Sequence, residues 1–154
     1  MGCICRAKKE NEESMGSFQT EWLVYFYESE DHSKWLRFLE KGFKHCGALS
    51  FSAKHNLWIH LEYTHNGIRL SYLEEKDVED IFFFLKDYKV LRCPIKDDWQ
   101  LFRIKDLTCV AFIMRLIGFY RWWILTPYQL YCALRKAGYS SFWEKDTNHG
   151  KKNS

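Results

Sequence analysis

His45-Cys46-Gly47-Ala48-Leu49-Ser50-Phe51 and Leu57-Trp58-Ile59-His60-Leu61-Glu62-Tyr63 are joined through Ala53-Lys54-His55-Asn56. Both are extended in character and the four residues between them carry turn chemistry, so together they read as a β-hairpin. A turn centred between Lys54 and His55 sets the register, so that His45 faces Thr64, Gly47 faces Glu62 and Leu49 faces His60. Side chains alternate along a strand, which puts His45, His60 and Glu62 on one face. Leu57, Ile59, Leu61 and Tyr63 then form the other, apolar face. Asn66-Gly67 turns the chain again, and Ile68 to Leu73 reads as a further strand.

Upstream, Glu21-Trp22-Leu23-Val24-Tyr25-Phe26-Tyr27 is aromatic and β-branched, which predicts a strand. Ser33 can cap a short helix carrying Trp35, Leu36, Phe38 and Leu39, with Gly42 ending it. Downstream, Asp77 can cap a helix whose apolar face is Val78, Ile81, Phe82 and Leu85. Val90 to Ile95 and Trp99 to Ile104 read as two more strands, and Pro94 keeps the first near an edge or its end. The last third is helical. Thr108 caps a helix running to about Gly118; Thr126-Pro127 starts another that stops at Gly138. The expected fold class is α+β, a mostly antiparallel sheet with helices packed on it. Residues 1–17 read as a disordered polar segment, 18–140 as a single domain and 141–154 as a polar tail.

The 154 residues are 47% apolar and 18% aromatic, which fits a packed body and not a disordered chain. A net charge of +3, with acidic and basic residues mixed, forms no polybasic stripe and argues against a nucleic-acid partner. The longest apolar run, Val110 to Ile117, is interrupted by Arg115 and is too short for a membrane span. Met1-Gly2-Cys3-Ile4-Cys5-Arg6 leads into charges, so no secretory signal is expected. The Met1-Gly2 start invites a myristoyl anchor, but Arg6 stands where Ser or Thr is wanted, and Met15-Gly16 offers a second start. The six cysteines have no framework spacing, so reduced thiols in the cytoplasm are expected.

Cys109 follows the cap residue Thr108 and is the first residue inside its helix. Unpaired N–H groups and the positive end of the helix dipole favour a thiolate there. A small buried core cysteine would produce the same local pattern. A nucleophile also needs a base. His32, His55, His65 and His149 lie at turns, ends or the tail, whereas His45 sits on the hairpin face shared with Glu62 and His60. His45 is the candidate base, with Glu62 ranked first and His60 second as the group that orients its ring. A solvent-exposed polar face is the plain alternative. Zinc at these residues lacks any supporting ligand spacing.

The order of parts carries a resemblance. Gly42-Phe43-Lys44-His45-Cys46 enters a strand and Trp58-Ile59-His60-Leu61-Glu62 forms the next. Thr108-Cys109-Val110 then opens a helix, followed by Leu125-Thr126-Pro127-Tyr128-Gln129-Leu130-Tyr131. From about Glu21 to Gly138 the chain resembles the circularly permuted papain-like thiol hydrolases, which include small phage and bacterial members and the lecithin retinol acyltransferase type. In that group the His hairpin precedes the Cys helix. The resemblance implies a nucleophile at Cys109, a base at His45 and a third polar residue at Glu62 or His60. It implies cysteine-dependent hydrolysis or acyl transfer at an amide, peptide or (thio)ester bond, without a metal or organic cofactor. The implied substrates are a peptide, a cell-wall cross-link or an acyl compound. A virion location is implied if the source is a phage. The competing expectation is a non-catalytic binding or assembly protein on the same fold, with a protein partner met by Tyr120 and Trp122-Trp123.

Overall fold

Five strands form one antiparallel sheet in the order β4-β3-β2-β1-β5. In a computed structural model, which describes residues 21–28, 37–94 and 108–144, β1 is Glu21–Tyr27, β2 His45–Ser52, β3 Leu57–Thr64 and β4 Gly67–Leu73. Helix α1 (Glu75–Leu85) leads to β5 (Lys89–Pro94), and α2 (Cys109–Leu116) and α3 (Pro127–Lys136) follow. The fold is α+β, with three helices among the described residues. Residues 33–36 of the predicted Ser33 helix and the whole Trp99 to Ile104 strand lie outside those residues; within them, the helix expected to run to Gly42 is only a short 3-10 turn at 37–38.

The hairpin has the expected register, with Gly47 opposite Glu62 and Leu49 opposite His60. Its turn is 53–56, where Asn56 adopts a φ of 48°, a left-handed conformation that asparagine tolerates better than most residues. Strand β1 lies between β2 and β5, and Trp22 to Phe26 are all buried. Such a run does not alternate because both sheet faces are covered there.

On one face, Val24, Phe26, Cys46 and Ala48 pack against Ile113, Ile117, Leu130 and Leu134 of the α2 and α3 layer. On the other, Leu23, Tyr25 and Leu49 pack with Leu85, against which Ile81 and Phe82 of α1 also lie. The hairpin face that carries His45, His60 and Glu62 is therefore not an open surface: Glu62 is buried and both histidines are partly so.

Capping explains the helix starts. The Thr108 hydroxyl accepts the Ala111 N–H at 3.1 Å. Thr126 accepts the Gln129 N–H at 3.2 Å, and the Gln129 side chain returns a bond from the Thr126 N–H, also at 3.2 Å. This reciprocal pairing satisfies donors that the first turn leaves free. Helix α1 corrects the sequence expectation. Its cap is Glu74, and Asp77 occupies the third helical position, accepting the Glu74 N–H at 3.2 Å. An acidic residue serves either position, so composition alone could not separate them.

Pro94 ends β5, which occupies the sheet edge. The domain boundary expected at 140 needs extension. Ser141 bridges Leu91, the Phe142 N–H bonds to Val90 O at 2.9 Å, and Phe142 packs against the α1-side cluster. These contacts cover part of the β5 edge and tie 140–144 to the sheet.

Candidate active site

At one end of the sheet, the last residue of β1, the first of β2 and the first turn of α2 converge. Tyr27 pairs with His45 in the β1–β2 ladder, so their side chains share a face. Their rings meet edge to face, with centroids 5.3 Å apart. Glu62, one strand over, brings Oε1 to 3.4 Å from His45 Nε2. That turns Nε2 to the carboxylate and leaves Nδ1 for another partner. Cys109 and His45 line the same cleft, and each shifts the other's titration.

Charge follows from this geometry. Burial pulls the His45 pKa down, but hydrogen bonds to Cys109 and Glu62, with their negative charge, outweigh it and hold it at about 9. Glu62 is lowered to about 2, chiefly by its bond to His45, against a burial penalty and with help from Tyr27. The Tyr27 hydroxyl donates to Glu62 Oε1 at 2.5 Å. Burial and the neighbouring carboxylate push that phenol far upward, so it stays a donor. Arg69 lies across from Glu62 on β4, with Nη1 3.7 Å from Oε2.

Cys109 is held well below the ordinary thiol range. The first cause is a hydrogen bond from the Cys46 thiol. Burial opposes it, while the bond and charge of His45 and a bond from the Cys46 backbone N–H support it. Helix geometry adds to this. Among the described residues, Thr108 takes up the N–H groups of Ala111 and Phe112, and none accepts those of Cys109 or Val110. Free N–H groups in a first turn stabilise a nearby anion, whether thiolate or oxyanion.

The thiol opens on a cleft of about 490 Å³ lined by Tyr27, His45, Glu62, Arg69, Cys109 and Leu125, among others. Among the described residues there is no group of three His, Cys, Asp or Glu side chains placed to hold a metal. No helix of the described residues is long and apolar enough to cross a membrane.

Of the four residues singled out in the sequence, Cys109, His45 and Glu62 come together. His60 does not join them. Its Nε2 lies 2.6 Å from the Tyr25 hydroxyl, beside a separate small cavity lined by Leu49, Leu73, Ile81 and Leu85. Burial lowers the His60 pKa, which favours the neutral ring in its hydrogen bond with the Tyr25 hydroxyl. Gly47 makes this possible: a Cβ there would collide with the Tyr25 phenol. No side chain plainly serves as an oxyanion donor in the sequence; Gln100, nine residues before Cys109, lies outside the described residues.

Sequence reasoning missed Tyr27 and Cys46. Tyr27 was legible in principle, because it ends a strand that pairs with His45. Cys46 was not, because only the seating of α2 on the sheet brings it to Cys109. Comparison with known proteins gives no matching family model, no matching curated protein and no matching solved structure.

Proposed function

We propose that the protein is a cysteine-dependent hydrolase or acyltransferase with a permuted papain-like arrangement, acting on an amide, peptide or (thio)ester bond. The observation that carries this reading is the line Cys109–His45–Glu62 ending at a helix N-terminus in an open cleft. A thiolate beside an imidazolium is the reactive pair that such chemistry needs.

Cys109 sulfur attacks the carbonyl carbon, forming a C–S bond and an oxyanion that the Cys109 and Val110 N–H groups stabilise. His45 gives its proton to the leaving group as the carbonyl bond to that group breaks. The neutral His45 then takes a proton from water or from an acceptor nucleophile, which attacks the acyl-cysteine and releases the product. Glu62 keeps the ring turned and favours its charged form.

Iodoacetamide is expected to alkylate Cys109 at neutral pH faster than Cys46 or Cys132. A p-nitrophenyl or thioester acyl donor should leave an acyl adduct on Cys109 detectable by mass spectrometry. Equal alkylation of the three thiols would remove the proposal. Fast alkylation without any acyl adduct would favour a second reading, a non-catalytic binding protein. That reading draws support from the connection between α2 and α3, where Trp122 is 76% exposed and Leu125, which lines the cleft, 72%. Exposed aromatics of this kind suit a protein interface.

A further inference from the structure

We propose that Cys46 is a resolving thiol, which captures Cys109 after oxidation by a hydroperoxide and stores it as a reversible Cys46–Cys109 disulfide. The inference rests on the reading of Cys109 as a reactive thiolate and assigns that site a modification and an off state.

Two placements carry it. Cys46 points from β2 into the core beneath α2, is 1% exposed, and belongs to the cluster against which Cys109 packs. Helix α2, which Cys109 opens, packs on β2, the strand that carries Cys46, and each thiol shifts the other's titration. In the catalytic scheme Cys46 helps to hold the Cys109 thiolate but makes or breaks no bond of its own. Cys109 itself is partly exposed and lines the cleft, so a small oxidant reaches it first. Cys93, the other buried thiol of the sheet, instead directs its sulfur to Leu91 O at 3.9 Å. Burial raises Cys46 well above the ordinary thiol range, so it stays a protonated thiol until its neighbour becomes electrophilic.

The electrons balance in two steps. Cys109 thiolate attacks one oxygen of the hydroperoxide; the O–O bond breaks, Cys109 becomes a sulfenic acid, and His45 protonates the departing alkoxide or hydroxide. Cys46 sulfur then attacks the sulfenic sulfur, the S–S bond forms, and the hydroxyl leaves as water with the Cys46 proton. The two thiols have supplied two electrons to the peroxide. While the disulfide lasts, Cys109 has no thiolate. A dithiol reductant reverses it.

The test treats the whole protein with hydrogen peroxide, blocks remaining thiols and maps peptides without reduction. The expected result is a linked Cys46–Cys109 peptide pair that dithiothreitol separates, with fast iodoacetamide labelling of Cys109 lost and then restored. In Cys46→Ser, which keeps a hydroxyl donor beside Cys109 but cannot form a disulfide, Cys109 should pass to sulfinic acid roughly tenfold more than in the unsubstituted protein, and reductant should not restore it. Cys46→Ala serves as the second variant, with the share of oxidised Cys109 that is sulfinic acid as the readout, since loss of the thiol donor also slows the first oxidation. The proposal is overturned if Cys109 in the unsubstituted protein reaches sulfinic acid as readily as in the variants, or if it links to Cys132 instead. Acyl-adduct formation on unoxidised protein is read separately. An acyl adduct without the Cys46 link sinks only this inference; the link without an acyl adduct supports it and sinks the hydrolase reading.

Discussion

His45 and His60 project from the same face of one hairpin, and each meets a tyrosine of β1, yet their surroundings drive them to opposite states. His45 meets Tyr27, Glu62 and Cys109 at the open end of the sheet, and its pKa is held at about 9. His60 meets Tyr25 further in, near Ile81 and Leu85 of α1, and burial lowers its pKa. Glu62 acts on both. It bonds directly to His45, whereas at His60 its charge is outweighed by burial and countered by Arg69. A residue type on a strand face therefore does not determine its chemistry. The carboxylate in contact and the layer overhead do.

The contrast can be broken most directly at His45. His45→Ala should slow iodoacetamide labelling of Cys109 at pH 7 by about 100-fold, within the range expected for losing a catalytic acid–base partner. Rates measured across pH should also move the profile upward. A loss below about threefold would remove His45 from its assigned role.

Glu62→Gln comes next, with labelling expected to slow by about tenfold, since an orienting group usually contributes less than the base it serves. NMR titration of His45 should show its pKa falling from about 9 towards the usual 6.5. The same pair governs stability against pH. His45 has a folded value raised from 6.5 to about 9, so its contribution is full below about 6.5 and is lost as pH rises through 9. Glu62 is lowered from 4.5 to about 2, so its contribution is present above 4.5 and is lost as pH falls through 2. Both are present between about 4.5 and 6.5, where Tm should be least sensitive to pH. If the Glu62→Gln protein keeps the same Tm profile, the ion contact is not what shapes it.

At the other histidine the expected effect is on folding alone. His60→Leu leaves the buried Tyr25 hydroxyl without its hydrogen-bond partner, which should cost about 1–3 kcal/mol. Cys109 labelling should not change. Urea unfolding and the labelling assay on the same variant separate the two, and a slower label would show that His60 serves the site after all. The smallest expected effect is Thr108→Ala, about 1 kcal/mol from the lost cap on α2, read by urea unfolding.

Much of the site was legible before any coordinates. The strand alternation and the four-residue turn fixed which residues of β2 and β3 oppose each other, and hence that His45 and Glu62 share a face. Thr108 and the apolar run after Cys109 located the helix start. The choice between Glu62 and His60 was harder, because both satisfy the same alternation. It depends on Gly47, whose missing side chain lets Tyr25 lie across the strand and take His60 for itself. The cap of α1 was misplaced by three residues because Glu74 and Asp77 are both acidic and bond to each other.

Local sequence carries the short-range order: the strands and turns, the threonine caps of α2 and α3, the hairpin register, and the position of Cys109 at a helix start. These depend on neighbours a few residues away, through side-chain period and backbone donors. Only the tertiary structure decided that α2 seats its first turn against Cys46 and within reach of His45, that Tyr27 locks Glu62, and that α1 covers one histidine but not the other. Those contacts join residues separated by many positions in the chain. They are set by how apolar surfaces of helix and sheet pack together, which no local pattern specifies.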